Sequence, residues 1–238
     1  MNIVLLRVGI DTGCGGIHSP LFSDGTFEFV PIPDGRGLDE RTYGNSKGGI
    51  GRVFAEYFPQ RKQEEAKLQS MHVDPEFDSF TYGDPTPPKR GLAKMNAGDL
   101  LVFYAGMEGW GHAKLPALYL VGMFKVELVG FAEKFPHKQL RKEFGENFHV
   151  RHKEVFSIDR EKLVLIKGGS GSRLFRRAHL LGERRFRREK GTWWQFITPE
   201  MEKIFGHFGG IGSLQRSTPR WVDEEFIGKA KKFLDSLE

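Results

Sequence analysis

Alternation of apolar and polar residues is clearest in the middle of the chain, where it predicts strands. One parity holds Leu118, Leu120, Phe124, Val126 and Leu128, and the other holds Lys125 and Glu127. This pattern is typical of a half-buried antiparallel strand, here at residues 117–129. Short apolar runs bounded by turn residues predict further strands at 2–8, 26–30, 100–104 and 163–166.

A helical period of apolar residues follows near the C-terminal end. Residues 200–208 and 223–237 each place apolar side chains three or four positions apart, and Thr198-Pro199 is suited to starting the first of these helices. A shorter, more charged helix is expected at 61–69. Residues 74–88 contain four prolines and are expected to be irregular.

The order of these elements predicts an α+β fold in a single domain, residues 1–238. Because strands and helices do not alternate strictly, we expect a curved antiparallel sheet or a small β-barrel with flanking helices. The expected divisions are a site-bearing N-terminal segment at 1–97, a central barrel-like sheet at about 98–197 and C-terminal helices at 198–238.

Composition and charge narrow the class of protein. The 238 residues carry a formal net charge of +5 and give a pI near 9.2, which suits a polyanionic partner. Cys14 is the one cysteine, so an internal disulfide and a cysteine-based zinc site are excluded. No apolar run has the length of a membrane span and no signal peptide is evident, so we expect a cytoplasmic protein without a membrane partner.

A basic segment at residues 173–190 carries more positive charge than the whole chain, because seven Arg and one Lys against two Glu give +6. A Gly/Ser-rich loop at 168–172 precedes it, and with a helix expected next, the loop is suited to holding a phosphate. The candidate nucleic-acid contacts are Arg173, Arg176, Arg177 and Arg184, with Trp110 or Trp193 stacking on a base. The competing interpretation is a solvated face with no ligand.

Polar residues and glycines crowd the loop after the first predicted strand without a packing reason. Arg7, Asp11 and His18 lie there among four glycines. Loops held by a rigid strand are where binding sites are often built. Cys14 near His18 is a candidate nucleophile, although a small residue tolerated in a glycine loop is the simpler interpretation.

His72-Val-Asp74-Pro75 is a second polar constellation. Residues two apart in an extended segment project on the same side, so His72 and Asp74 are suited to orienting a water, to acid–base catalysis or to supplying two metal ligands. The alternative is a turn set by Asp74 before Pro75. A third metal ligand would come from His137, His149, His152 or His179. Because the sequence selects none of them, no metal ligand set and no cofactor is assigned.

Several short motifs occur in an order that resembles a known family. They are Arg7-x-Gly-x-Asp11, Gly15-Gly16-Ile-x-Ser19-Pro20, Asp24-Gly25, Pro31-Ile-Pro33-Asp34, His72-x-Asp74-Pro75 and Gly98-Asp99-Leu-Leu-Val-Phe103. Over residues 1–129 the chain resembles the nucleotide modification associated domain 3 family, although Glu76 stands where that family leads us to expect aspartate. The resemblance implies association with systems that install or process modified bases. A shorter likeness, over residues 98–104 and 117–129, is to PUA-like barrel domains.

Two hypotheses for the function follow. In the first, the chain binds nucleic acid or a nucleotide through its arginines and a stacking tryptophan. In the second, it is an enzyme that acts on a base or nucleotide in one pocket formed by Arg7, Asp11, His72 and Asp74, with or without a metal at His72 and Asp74. Arg7 would hold an anionic group and His72 would act as acid or base. Both hypotheses allow DNA, RNA or a free nucleotide as the ligand.

Overall fold

The computed structural model describes residues 1–210, 212–214 and 218–238, and shows a mixed α/β fold built on one large sheet. The strands are β1 (Ile3–Arg7), β2 (Ser19–Leu21), β3 (Ile32–Pro33), β4 (Met71–His72), β5 (Thr81–Asp84), β6 (Leu100–Gly109), β7 (Ala117–Phe131), β8 (Val164–Gly168), β9 (Arg173–Arg187), β10 (Thr192–Ile197) and β11 (Arg220–Trp221). The predicted strands at 2–8, 100–104, 117–129 and 163–166 correspond to β1, β6, β7 and β8.

Six α-helices and several 3-10 turns flank the sheet in the described part of the chain. The helices are α1 (Gln63–Leu68), α2 (His137–Phe144), α3 (Phe148–Arg151), α4 (Lys153–Asp159), α5 (Pro199–Phe205) and α6 (Ile227–Asp235). The 3-10 turns are Phe54–Tyr57, Gln60–Lys62, Pro87–Lys94, Ala132–Lys134, Arg188–Lys190 and Glu224–Phe226. Thr198 accepts a hydrogen bond from the Met201 N–H and so caps α5 as predicted. None of the described helices has the length and apolar character needed to cross a membrane.

The sheet is mostly antiparallel and open. Its main path runs β10-β9-β7-β6-β1-β11, with β1 and β2 parallel to β6, while β8 joins β7 to β5. Since β10 and β11 form the two ends of this path, the pairings among described residues do not close a barrel, and the PUA-like barrel is not confirmed. β3 and β4 pair separately as a two-stranded ribbon.

Both faces of the central strands are covered, which explains the unbroken apolar run in β6. Val102 and Tyr104 pack in a cluster with the C-terminal helices, whereas Phe103 packs on the opposite face with residues of β5 and β8. The single apolar parity predicted for 117–129 was wrong. Leu118 and Leu120 face the C-terminal helices but Phe124 and Val126 face the other cluster, because the register of β7 shifts between residues 120 and 122.

Other differences between prediction and structure lie in segments with weak local patterns. Residues 26–30 form only an isolated bridge, between Leu21 and Phe27, instead of a strand. The region 74–88, expected to be irregular, contains β5. The basic segment after the 168–172 loop is strand β9, not a helix, because the loop connects two neighbouring antiparallel partners of β7.

The fold gathers several polar segments beside one part of the sheet. β1 ends at Arg7, β4 ends at His72, and β5 runs through Tyr82 and Gly83. α3, which lies near β5, and α4, which packs against α3, belong to a helical region that the sequence patterns did not predict. These elements form the walls of the cavity described next.

Candidate functional site

A cavity of about 630 Å³, here called the polar cavity, lies where these segments meet. Its ionisable lining residues are Arg7, Asp11, Cys14, Asp34, Arg36, His72, Asp74, Tyr82, Asp84, Lys89, His149 and Asp159. The volume falls in the range of small-molecule sites, which is roughly 300–1,000 Å³. Arg7, Asp11, His72 and Asp74, the four residues expected to share a pocket, all line this cavity.

Arg7 and Asp11 contact each other. An Arg7 guanidinium nitrogen lies 2.9 Å from Asp11 Oδ2, and the side chains are 17% and 25% exposed. Asp11 Oδ1 also accepts hydrogen bonds from the backbone N–H groups of Gly13 (2.7 Å) and Cys14 (3.1 Å). Asp11 therefore holds the turn that follows β1, while Arg7 keeps a position on the cavity wall.

His72, Asp74 and His149 form a cluster in the cavity wall. One donor atom from each of the three lies within 4.8 Å of the other two. His149 Nε2 is 3.7 Å from Asp74 Oδ2, and His149 Nδ1 is 4.0 Å from Asp159 Oδ2. The His72 ring stacks on Phe148, with 3.9 Å between ring centroids.

The structure distinguishes among the four histidines that sequence offered as a third partner. His149 joins His72 and Asp74, because Asn147 caps α3 through the His149 N–H and fixes this short helix beside β5. His137 is exposed at the start of α2, and His152 faces Asp39 at 3.4 Å. His179 packs between Phe175 and Phe233.

Burial sets the charge state of the cluster. It lowers the pKa of His72 to about 3, with the neighbouring His149 adding to the effect, and lowers that of His149 to about 4. Burial also raises the pKa of Asp74 well above its usual range, although the Gly83 N–H donates to this carboxylate at 2.9 Å. Both imidazoles are therefore neutral at pH 7.

Further charged residues line the cavity. Arg36 is exposed, and among the described residues no ion pair or hydrogen bond holds its guanidinium. Asp34 fixes the loop beneath it by accepting from the N–H groups of Arg36 (2.9 Å) and Leu38 (2.6 Å). Lys89 lies 3.1 Å from Asp84. Sequence reasoning missed Arg36 and Lys89, although Arg36 follows the Pro31-Ile-Pro33-Asp34 motif by two residues.

The residues expected to bind nucleic acid do not line the polar cavity. Arg176, Arg177 and Arg184 are exposed on β9. Trp193 is 53% exposed, and the Arg184 guanidinium lies 6.0 Å from its ring centroid. These four residues remain available on the surface.

Arg173 and Trp110 instead have contacts inside the protein. Arg173 donates to the carbonyl oxygens of Leu234 (3.0 Å) and Leu237 (2.8 Å), and so ties β9 to the C-terminal end. Trp110 packs edge-on against Tyr57 with 5.1 Å between ring centroids. Structural roles therefore account for both side chains.

Two further sequence hypotheses find no geometric support. Partial burial raises the pKa of Cys14 to about 11, and His18 Nδ1 faces Glu108 at 3.3 Å. Cys14 is thus a neutral thiol at pH 7 and His18 is engaged elsewhere. In the 168–172 loop, Ser172 Oγ accepts from the Lys125 N–H at 3.0 Å, which anchors the connection between β8 and β9.

Comparison with known proteins identifies the family of the chain. No curated protein sequence and no solved structure matches the chain. The family model described as nucleotide modification associated domain 3 matches residues 2–227, which is nearly the whole chain and includes every segment of the polar cavity. The chain belongs to the nucleotide modification associated domain 3 family.

Proposed function

We propose that the polar cavity binds a nucleotide, or a single base extruded from nucleic acid, in a protein that takes part in nucleotide modification. The observation that carries this proposal is the convergence of residues 7–11, 32–36 and 72–74, with 82–86 and 148–149, on one cavity. Gathering buried polar groups is costly unless they are used, which favours a ligand site over a packing accident.

Charge at the cavity suits a phosphate-bearing ligand. Arg36 is the cation whose guanidinium is not engaged by a described residue, while Arg7 and Lys89 are close to Asp11 and Asp84. Guanidinium groups bind phosphate with paired, charge-assisted hydrogen bonds. In this proposal Arg36 contacts the phosphate, and the buried end of the cavity receives the base or sugar.

Strand β9 is proposed as a separate contact for a nucleic-acid backbone. Arg176, Arg177, Arg184 and the exposed ring of Trp193 retain the composition expected for phosphate contact and stacking. This contact would hold a polymer while the cavity receives one nucleotide. It is not required if the ligand is a free nucleotide.

An enzyme acting on the base or nucleotide is the second candidate function. The observation that favours it is a pair of neutral buried histidines beside a carboxyl group whose pKa is raised by burial. Groups with strongly shifted pKa values in a cleft are typical of acid–base chemistry. His72 and His149 would then exchange protons with the ligand.

Calorimetric titration of the full chain with nucleoside monophosphates and the corresponding nucleosides, in a buffer containing EDTA, tests the first proposal. We expect Arg36→Ala to weaken binding of the monophosphates by about 10- to 100-fold, because a charge-assisted hydrogen bond contributes about 1.5–3 kcal/mol. Nucleoside binding should change little.

Arg61→Ala is the charge-matched control, because Arg61 is exposed and does not line the cavity. It should leave both affinities unchanged. No binding of any ribo- or deoxyribonucleotide to the wild-type chain, or equal losses in the two variants, would contradict the proposal.

A further inference from the structure

We propose that His72, Asp74 and His149 bind one divalent transition-metal ion at the wall of the polar cavity. The inference deepens the proposed function, because it would place a metal beside the nucleotide site, and it rests on that function for its biological meaning. It stands on three observations: the distances in the cluster, its unsatisfied polar atoms and the types of its donor atoms.

The donor atoms are close enough for one ion after small side-chain rotations. One donor of each residue lies within 4.8 Å of the others, and His149 Nε2 is 3.7 Å from Asp74 Oδ2. Tetrahedral ligation at about 2.1 Å places donors about 3.4 Å apart. The separation of His149 Nε2 and Asp74 Oδ2 is therefore already near the value that a bound ion requires.

Two ring nitrogens of the cluster lack partners where partners are expected. His72 Nε2 and His149 Nδ1 are buried side-chain atoms without a hydrogen-bond partner. Buried polar atoms are paired in most proteins, and each exception needs an explanation. A metal ion at His72 Nε2 would give this nitrogen the partner that it lacks, since imidazole nitrogens are common metal ligands.

The surroundings of His149 fit ligation through its Nε2 atom. His149 Nδ1 faces Asp159, 4.0 Å from Oδ2, while Nε2 faces Asp74. A histidine that binds a metal through one nitrogen usually donates its other N–H to a carboxylate or carbonyl, which fixes the ring. In this arrangement Asp159 is the positioning residue for His149.

The set of donors indicates which metals fit. Two imidazoles and one carboxylate, without a thiolate, suit Fe²⁺ or Zn²⁺ better than Mg²⁺ or Ca²⁺, which prefer oxygen donors. All three residues line the cavity, so the remaining coordination positions would face its interior. Three protein ligands with open positions are typical of catalytic rather than structural sites.

The test is a metal titration of the full chain without nucleotide. The protein is treated with EDTA, freed of chelator and titrated with Zn²⁺ by calorimetry and with Co²⁺ by visible absorption. We expect one ion per chain. Because loss of an outer-shell partner already costs about 10- to 100-fold in metal affinity, His149→Gln and Asp74→Asn should each weaken binding by at least about 100-fold.

His137→Gln is the matched control, because His137 is an exposed histidine outside the cluster. It should bind both ions as the wild-type chain does. Circular dichroism establishes that each variant is folded, and His72→Gln replaces any cluster variant that is not. A folded wild-type chain without saturable binding, or with binding that survives all cluster substitutions, would overturn the inference.

The two titrations separate this inference from the proposed function. Nucleotide binding is measured in EDTA and metal binding is measured without nucleotide. Binding of nucleotide but not of metal would leave the cluster as a hydrogen-bonded part of the cavity. Binding of metal but not of nucleotide would keep the metal site and remove the nucleotide proposal.

Discussion

The polar cavity and strand β9 both concentrate ionisable residues, but they differ in how these residues are distributed along the chain and in their exposure to solvent. The arginines of β9 are neighbours in sequence, and Arg176, Arg177 and Arg184 are exposed to solvent. His72 and Asp74 are two residues apart, His149 comes from a distant part of the chain, and the donor atoms of the three meet within 4.8 Å. The arginines of β9 are recognised together in the sequence, whereas the cluster of the cavity is completed only when folding brings His149 to His72 and Asp74.

The two sets differ in what they cost the folded protein. An exposed arginine keeps its water and changes stability little. A buried imidazole or carboxylate without full hydrogen bonding loses hydration, which costs free energy. The polar cavity is thus the stronger indicator of function, since selection has a reason to remove costly groups that have no use.

The largest expected effect is an acid sensitivity that originates in the polar cavity. Folding lowers the pKa of His149 from 6.5 to about 4 and that of His72 from 6.5 to about 3. At these two histidines the unfolded chain therefore binds more protons than the folded chain between about pH 6.5 and 4, and their contribution to stability is lost as the pH falls through this window. The raised pKa of Asp74 acts in the opposite direction, because the folded chain keeps that proton at a higher pH than the unfolded chain does. For His149 alone the loss is about 3 kcal/mol at 1.36 kcal/mol per pKa unit.

Urea unfolding of the metal-free protein in EDTA, at several pH values from 7 to 4, measures this loss. The double variant His72→Gln/His149→Gln should lose much less stability over the same range, while His137→Gln should behave as the wild type. The same dependence on pH in the double variant would show that the cavity histidines are not the origin of the acid sensitivity.

A second prediction asks how tightly the cavity wall is packed. A Cβ atom on Gly83 would lie 2.8 Å from Asn147 Oδ1 and 3.2 Å from His149 Cδ2. Gly83→Ala should therefore displace the cap of α3, destabilise the protein by about 1–3 kcal/mol and weaken Co²⁺ binding. Thermal or urea unfolding and the Co²⁺ titration measure the two effects.

Gly228→Ala provides the matched control. Gly228 is an exposed residue of α6, and a Cβ atom added to it would meet no other part of the protein within 4 Å. The same substitution there should stabilise the protein by about 0.5–1 kcal/mol, because alanine favours the helix. Both substitutions reduce the conformational freedom of the unfolded chain in the same way. If Gly83→Ala lowers the free energy of unfolding while Gly228→Ala raises it, packing at the cavity is therefore the cause of the loss.

The local patterns of the sequence predict the central elements of the fold but not their registers. β6, β7 and the C-terminal helices carry strong periodic signals, and they occur where predicted. The reversal of parity in β7 depends on a register shift between neighbouring strands, which leaves no mark in a hydrophobic pattern. β9 was predicted as a helix start because its exposed arginines obscure the alternation of a strand.

The candidate site was predictable only in part, for a similar reason. Arg7, Asp11, His72 and Asp74 belong to short motifs, and these residues line one cavity. His149 lies in α3, a helix of four residues that has no periodic signal, so only tertiary contacts distinguish it from the other histidines. Arg36 was missed because a single arginine in a loop resembles any solvated residue.

The smallest expected change in stability belongs to β9. Arg176→Ala/Arg177→Ala removes two exposed side chains and should alter the free energy of unfolding by less than about 0.5 kcal/mol.

If β9 contacts a nucleic-acid backbone, the same double variant should lower the affinity for DNA or RNA. The slope of log affinity against log salt should then become shallower by about 2, roughly one per cation. The control is Lys138→Ala/Arg141→Ala, which removes two exposed cations from α2. It should change the affinity for nucleic acid much less, because it lowers the net charge by the same amount without removing a proposed contact. Equal effects of the two double variants would mean that β9 is a solvated face, and the polar cavity would then be the one proposed site that remains.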